Sequence, residues 1–220
     1  MKPGCFGSIP GAIFFALLSL VAAGGMVLTR PSSWTYTITF IASTGFVLTA
    51  VAGRPWKHRY GGLMLSGLCL CAAGDIAGIH NFNWGAVFFL AAHIAFSGAF
   101  YIERGGGKRV VASVMLVILF DLFLVSWLLP HVPGRDRWLV LSYMTMLSLM
   151  VVLSSGVRLP AWRLLPAAGA VLFFISDIFV ARWKYVYPSG VNAYFCYPMY
   201  YLSCVCFALS ISAKTRAASG

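Results

Sequence analysis

Hydrophobic residues run along this chain in long stretches, which short segments of polar and charged residues separate. Each stretch is about 17 to 22 residues long, the length that an α-helix needs to cross a bilayer. The pattern predicts an all-α, polytopic transmembrane bundle of about eight helices that forms a single domain over residues 1–220. The predicted spans are 10–29, 35–53, 60–79, 84–102, 110–130, 138–155, 164–181 and 192–213.

The composition agrees with a membrane protein. Hydrophobic residues make up 60% of the chain and charged residues 10%, so no polar stretch is long enough to form a separate soluble domain. The net charge of +11 raises the question of nucleic-acid binding. The Lys and Arg residues are scattered over short connections, however, and do not form a basic stripe with interleaved aromatic residues. We expect membrane lipid, and no nucleic acid, as the surroundings of the chain.

The distribution of basic residues predicts the orientation. The side of the N-terminus carries the larger share, namely Lys2, Arg54, Lys57, Arg59, Arg104, Lys108, Arg109, Arg158, Arg163, Lys214 and Arg216. The other side carries Arg30, Arg135, Arg137, Arg182 and Lys184. By the positive-inside rule both termini are cytoplasmic, in the inner or plasma membrane if the organism is a bacterium.

The first apolar stretch has an alternative interpretation as a cleaved signal peptide. Lys2 precedes it and small residues from Ala22 to Gly25 lie within it, but the stretch is long for a signal peptide.

Of the six cysteines, five lie in apolar stretches and Cys5 lies near the cytoplasmic end. We interpret them as small buried hydrophobic residues and assign them neither disulfides nor a metal ion.

Two aspartates stand out because each lies inside a strongly apolar stretch. Asp75 occurs in LCLCAAGDIAGI and Asp177 in AVLFFISDIFVA, each near the far end of its span. Parallel helices would hold them at a common depth. Two carboxyl groups that share a buried site cannot both ionise easily, so they supply an acid and a base together. The alternative is that each carboxyl bonds to a neighbouring helix for structural reasons only.

Other polar residues could support such a site. His93 and Asp121 both lie in the middle of their spans, and we expect His93 to bond to Asp121 or to a carbonyl group. His93 would lie about 7 Å deeper than Asp75, at 1.5 Å per residue, so a supporting role suits it better than that of the direct acid. The last span begins with a polar, partly aromatic face whose hydroxyls and amide could bind substrate or support the carboxyls: Asn192, Tyr197, Tyr200 and Tyr201.

Four segments in this order resemble the lysoplasmalogenase family of YhhN-like membrane proteins: GLMLSGLCLCAAGDI, FFLAAHIAFSGAF, GAVLFFISDIFVARWKYVYP and YPMYYLSCVCFALS. The resemblance implies an eight-helix bundle that binds a lysophospholipid, the alkenyl glycerophosphocholine or glycerophosphoethanolamine called a lysoplasmalogen. It implies hydrolysis of the vinyl ether to a fatty aldehyde and a glycerophospho-alcohol, without metal ion or cofactor. Asp75 and Asp177 match the catalytic carboxylates, and His93, Tyr200 and Tyr201 match the polar residues beside them.

The chain departs from this family at three positions. The stretch between Arg30 and Arg54 contains no charged residue, where the family usually has a lysine. Phe96 stands where a tyrosine often follows the histidine, and Cys204 lies where a glutamine is usual.

Other functions fit less well. The GxGD and YD patterns of intramembrane aspartyl proteases are absent, and the four histidines do not have the spacing of a zinc-dependent lipid hydrolase. The main alternative outside enzymes is a proton-coupled transporter or a lipid-binding sensor that uses the buried aspartates as a relay.

Overall fold

The structure, a computed structural model, describes residues 9–29, 34–105, 107–158 and 164–218. These described residues contain eight helices that are long and apolar enough to cross a membrane, which confirms the predicted all-α integral membrane bundle. The predicted spans match these helices to within about one helical turn. Lys2, Cys5, Arg30 and Arg163 lie outside the described residues. The helices are α1 Ile9–Thr29, α2 Thr35–Ala52, α3 Arg59–His80, α4 Phe82–Ile102, α5 Lys108–Leu128, α6 Arg137–Ser155, α7 Leu164–Ala181 and α8 Ala193–Ala217.

Short elements connect several of these helices. A π-helical turn, Arg182–Val186, continues α7, and single 3₁₀ turns lie at Pro55–Lys57, Leu129–His131, Gly134–Asp136 and Gly190–Asn192. An isolated antiparallel bridge between Arg104 and Val157 joins the connection after α4 to the connection after α6. These connections are short, so most consecutive helices are neighbours in the bundle. The exception is α4, which packs against α6 and not against α5.

Close helix contacts hold the bundle together where side chains are small. The helix α1 packs against α2 and α8, and the Ser19 hydroxyl donates to the Ala42 carbonyl over 2.7 Å. The helices α3 and α4 cross at Gly78 and Gly85, where a Cβ added to Gly85 would lie 2.8 Å from the Gly78 Cα. Small residues at such a crossing let two membrane helices approach closely.

The centre of the bundle is aromatic. Phe96, Phe173 and Phe207 are buried together, and the Phe96 and Phe207 ring centroids are 4.7 Å apart. The helix α8 runs through this core, whereas α5 lies at the edge and exposes most of its apolar side chains. Aromatic packing of this kind fixes the side chains around the polar residues that the core encloses.

The cysteines are thiols, not disulfides, in the described part of the chain. Cys71, Cys196, Cys204 and Cys206 are buried, as predicted, but Cys69 is exposed. The prediction of burial is wrong for Cys69 because residues two apart on a helix point in different directions, and Cys71 occupies the inward position.

Polar contacts tie the helices together at one end of the bundle, which we call the basic end because most of the Lys and Arg residues lie there. The Lys214 ammonium donates to the Glu103 carboxylate over 2.6 Å. The Gly61 amide donates to His58 Nδ1 over 2.8 Å, and His58 Nε2 lies 3.1 Å from the Thr215 hydroxyl. Burial, and then the nearby charge of Lys214, lower the pKa of His58 below its ordinary value. His58 is therefore a neutral cap that joins the start of α3 to α8.

Candidate active site

A cavity of about 730 Å³ lies toward the end of the bundle opposite the basic end. Residues from all eight helices line it, and most of them are apolar. Its size falls within the range of small-molecule sites, roughly 300–1,000 Å³. Asp75 and Asp177 both line this cavity, together with Tyr197, Tyr200 and Tyr201. The cavity therefore brings two carboxyl groups from α3 and α7 and three phenols from α8 to one site.

Asp75 receives hydroxyl donors from two neighbouring helices. The Ser43 hydroxyl on α2 donates to Asp75 Oδ2 over 2.5 Å. From α8, the Tyr200 hydroxyl donates to the same oxygen over 3.0 Å and the Tyr201 hydroxyl over 3.5 Å. The tyrosine pair, whose hydroxyls the sequence analysis suggested could support the carboxyl groups, thus binds Asp75. Hydroxyl groups that converge on one carboxylate oxygen hold it in place and stabilise negative charge there.

Asp177 lies among aromatic side chains on the other side of the cavity. The Tyr143 hydroxyl on α6 donates to Asp177 Oδ2 over 2.9 Å. His93 Nε2 lies 3.8 Å from the same oxygen. The His93 ring packs edge to face against Tyr143 and Phe173, with centroids 5.1 and 4.8 Å apart. These rings shield one side of the Asp177 carboxyl from water.

His93 is fully buried and does not line the cavity. The expected bond from His93 to Asp121 or to a carbonyl group is wrong, because neither ring nitrogen has a hydrogen-bond partner among the described residues. Asp121 instead accepts a hydrogen bond from the Ser148 hydroxyl over 2.7 Å. The two residues face different neighbours, because His93 lies beside Asp177 and Asp121 lies beside Ser148. His93 accordingly lies behind Asp177.

Asn192 also lies outside the cavity lining. It is fully buried, and its amide nitrogen donates to the carbonyls of Tyr187 and Ser189 over 2.9 Å each. Its amide oxygen accepts from Arg182 Nη1 over 2.6 Å. Asn192 thus fastens the π-helical turn to the start of α8, while Tyr197 reaches the cavity itself. A substrate contact for Asn192 has no support in this geometry.

Sequence reasoning missed two residues at the site, Ser43 and Tyr143. Both lie within apolar spans, and serine and tyrosine often bond to the backbone or lie at the membrane interface there. The one signal in the sequence is that both residues are polar. The sequence does not show whether they face the bundle, because that depends on how each helix is rotated about its axis. No three His, Cys, Asp or Glu side chains of the described residues come together as metal ligands would.

The sequence model of the YhhN family matches residues 34–211 of the chain. A curated relative, lysoplasmalogenase TMEM86A of Bos taurus, is 27% identical over 175 residues, an alignment that covers 75% of this chain and 71% of that protein. No solved structure matches the chain significantly. The matched range includes both aspartates, the tyrosine pair and the other residues whose hydroxyls donate to the aspartates.

Proposed function

The chain belongs to the YhhN family, and from this premise we propose that it hydrolyses the vinyl ether of lysoplasmalogens. Its function is lysoplasmalogenase-like, as the named relative indicates. The proposed products are a fatty aldehyde and a glycerophospho-alcohol. The observation that carries this proposal is the pair of carboxyl groups, Asp75 and Asp177, on one apolar cavity between the helices.

The chemistry of a vinyl ether matches what two carboxyl groups can do. An acid protonates the alkenyl carbon that is not bonded to oxygen, which leaves an oxocarbenium ion at the other carbon. A carboxylate stabilises this cation and takes a proton from the water that attacks it, which gives a hemiacetal. The hemiacetal collapses, its C–O bond to glycerol breaks, and the glycerol oxygen regains a proton. The balance is one vinyl ether and one water to one aldehyde and one alcohol.

The surroundings of the two carboxyl groups suggest how these roles are divided. Asp75 accepts hydrogen bonds from Ser43, Tyr200 and Tyr201, which suits an ionised carboxylate that stabilises the cation. Asp177 lies against the rings of His93 and Tyr143, which suits the carboxylic acid that donates the proton. We therefore assign the acid to Asp177 and the cation stabiliser to Asp75.

The lining of the cavity supports a lipid substrate. Apolar residues of α5, α6 and α7 line it together with Asp177, and they include Leu124, Leu147, Phe174 and Ile178. An alkenyl chain packed against these residues would leave its vinyl ether at the carboxyl groups. Exclusion of bulk water by the chain would strengthen the electrostatic effects of both aspartates.

The proposal includes the orientation that the basic residues predict, with the whole chain as one transmembrane domain. The basic end then faces the cytoplasm, and the cavity opens toward the other face of the membrane. Cysteine labelling from outside intact cells tests this. A cysteine introduced at Gly134 should react with an impermeant reagent, and one introduced at Lys108 should not.

The experiment that tests the function compares three lysolipids with the same headgroup and chain length: a vinyl ether, a saturated ether and an ester. Purified protein in detergent should release aldehyde from the vinyl ether and no product from the other two. Release of fatty acid from the ester would indicate an esterase. Failure to cleave any of the three, with proton-dependent lipid movement in vesicles, would favour the transporter over the hydrolase.

A further inference from the structure

The mouth of the cavity carries a positive charge that the carboxylate chemistry does not use. Lys184 lines the cavity and is exposed. Among the described residues that line it, Lys184 is the basic one, and the two acidic ones are Asp75 and Asp177. None of the described carboxylates lies within ion-pair distance of the Lys184 ammonium. Its charge is therefore available to a ligand.

The local backbone directs Lys184 into the cavity. It lies in the π-helical turn Arg182–Val186, and the three consecutive side chains Trp183, Lys184 and Tyr185 all line the cavity. Turns of this kind are rare and are frequently found at functional sites. The neighbouring cation, Arg182, is held elsewhere by its hydrogen bond to the buried Asn192. The clamp between Arg182 and Asn192 thus fixes the turn and leaves Lys184 as the cation that faces the ligand.

Aromatic contacts keep the Lys184 side chain at the mouth. Its ammonium lies 4.8 Å from the centroid of the Phe82 ring, at the start of α4. Tyr185 packs edge to face against the same ring, with centroids 6.4 Å apart. A cation over an aromatic face is attracted to the ring but keeps hydrogen-bond donors free for an anion.

The spacing along α7 matches a glycerophospholipid. Lys184 follows Asp177 by seven positions, which is about 10 Å at 1.5 Å per residue. An ionised carboxylate would repel a phosphate group that lay near the two aspartates. The favoured orientation of an anionic ligand therefore places its anion at the mouth of the cavity and its neutral part deep inside, near the aspartates. The glycerol unit of a lysolipid separates the vinyl ether from the phosphate by a similar distance. The flexible lysine side chain can make up the remaining difference between the two distances.

We propose that Lys184 forms an anion subsite that binds the phosphodiester of the lysolipid while its vinyl ether lies between Asp75 and Asp177. This rests on the proposed function for the identity of the lipid. Lysine binds phosphate as a compact point charge, without the fixed geometry of arginine. Lys184 accordingly sets the preference for lipids that carry a phosphate and takes no part in the proton transfers.

The kinetic test compares a lysoplasmalogen with the corresponding alkenylglycerol, which has the same vinyl ether but no phosphate. Lys184→Gln should reduce the ratio of kcat/KM for the two substrates by about tenfold, the loss expected for one hydrogen bond to a charged group. Lys184→Arg should retain most of the preference because the charge remains. Lys108→Gln, which removes an exposed lysine at the basic end, is the matched control and should leave the ratio unchanged. An equal effect of Lys184→Gln on both substrates would overturn the proposal.

A binding measurement separates this inference from the hydrolase itself. The probes are the saturated analogues, 1-O-alkyl glycerophosphocholine and 1-O-alkylglycerol, and binding is followed by intrinsic tryptophan fluorescence in detergent. Lys184→Gln should weaken binding of the phospholipid about tenfold relative to the alkylglycerol, even if the protein were to release no aldehyde from any lipid. Inorganic phosphate at the same concentration should not displace the phospholipid. Displacement by inorganic phosphate, or equal binding of the phospholipid by both proteins, would refute the lipid phosphodiester subsite.

Discussion

Replacement of either aspartate proposed to be catalytic, Asp75 or Asp177, by asparagine should remove turnover and preserve the fold. In Asp75→Asn, the amide oxygen can still accept from Ser43 or Tyr200, whereas the amide nitrogen cannot accept at all. The loss of a hydrogen bond to a charged group costs about 1.5–3 kcal/mol, but the neutral amide is cheaper to bury than a carboxylate. These effects oppose each other, so the variant should remain folded.

The expected loss of activity follows from the two roles. General acid catalysis contributes typically about 10²–10⁴ in rate, which sets the expected effect of Asp177→Asn. Electrostatic stabilisation of a charged intermediate contributes about 10²–10³, which sets the effect of Asp75→Asn. Either variant should therefore turn over at least about a hundredfold more slowly than the unsubstituted protein.

The matched control is Asp121→Asn, because Asp121 is also an intramembrane carboxyl that accepts a serine hydroxyl but does not line the cavity. The assay measures aldehyde release from a lysoplasmalogen in detergent, and a thermal melt of each variant checks the fold. Asp121→Asn should keep most of the activity. If Asp75→Asn and Asp177→Asn are folded and release aldehyde at near the original rate, the carboxyl groups are structural and the assignment of the active site is wrong.

Further expectations concern groups around the site and at the basic end. Tyr143→Phe removes the hydroxyl donor of Asp177 and should lower kcat about tenfold without a loss of thermal stability, whereas an unchanged kcat would remove Tyr143 from the site. Gly85→Val should lower the melting temperature by separating α3 from α4, and Gly62→Val, where an added Cβ meets no atom within 4 Å, should not. The fold lowers the pKa of His58 from 6.5, so as the pH falls the unfolded chain takes up this proton before the folded protein does. The free energy of unfolding should therefore decrease as the pH falls below about 6.5. A His58→Asn variant with the same pH dependence of stability would exclude this cause.

The sequence predicted the helices well because a membrane span needs an apolar stretch of fixed length, and few polar residues interrupt the apolar stretches of this chain. Asp75 and Asp177 could be found for the same reason, since a carboxyl group in such a stretch is rare. The contacts of His93, Ser43 and Tyr143 could not be predicted, because they depend on how each helix is rotated about its own axis. Equal depth suggested that His93 meets Asp121, but rotation turns His93 toward Asp177.

The central claim, protonation of the vinyl carbon by a carboxylic acid, is tested most directly by hydrolysis in D₂O. The exchangeable proton of the acid becomes deuterium, and carbon protonation transfers it to the carbon next to the new aldehyde group. The aldehyde is rapidly reduced to an alcohol and analysed by mass spectrometry, which should show one deuterium bonded to that carbon. The unsubstituted protein should form this deuterated product, and Asp177→Asn should not. Aldehyde that carries no deuterium at this carbon would contradict the mechanism, because the bond would then have been cleaved without proton transfer to carbon.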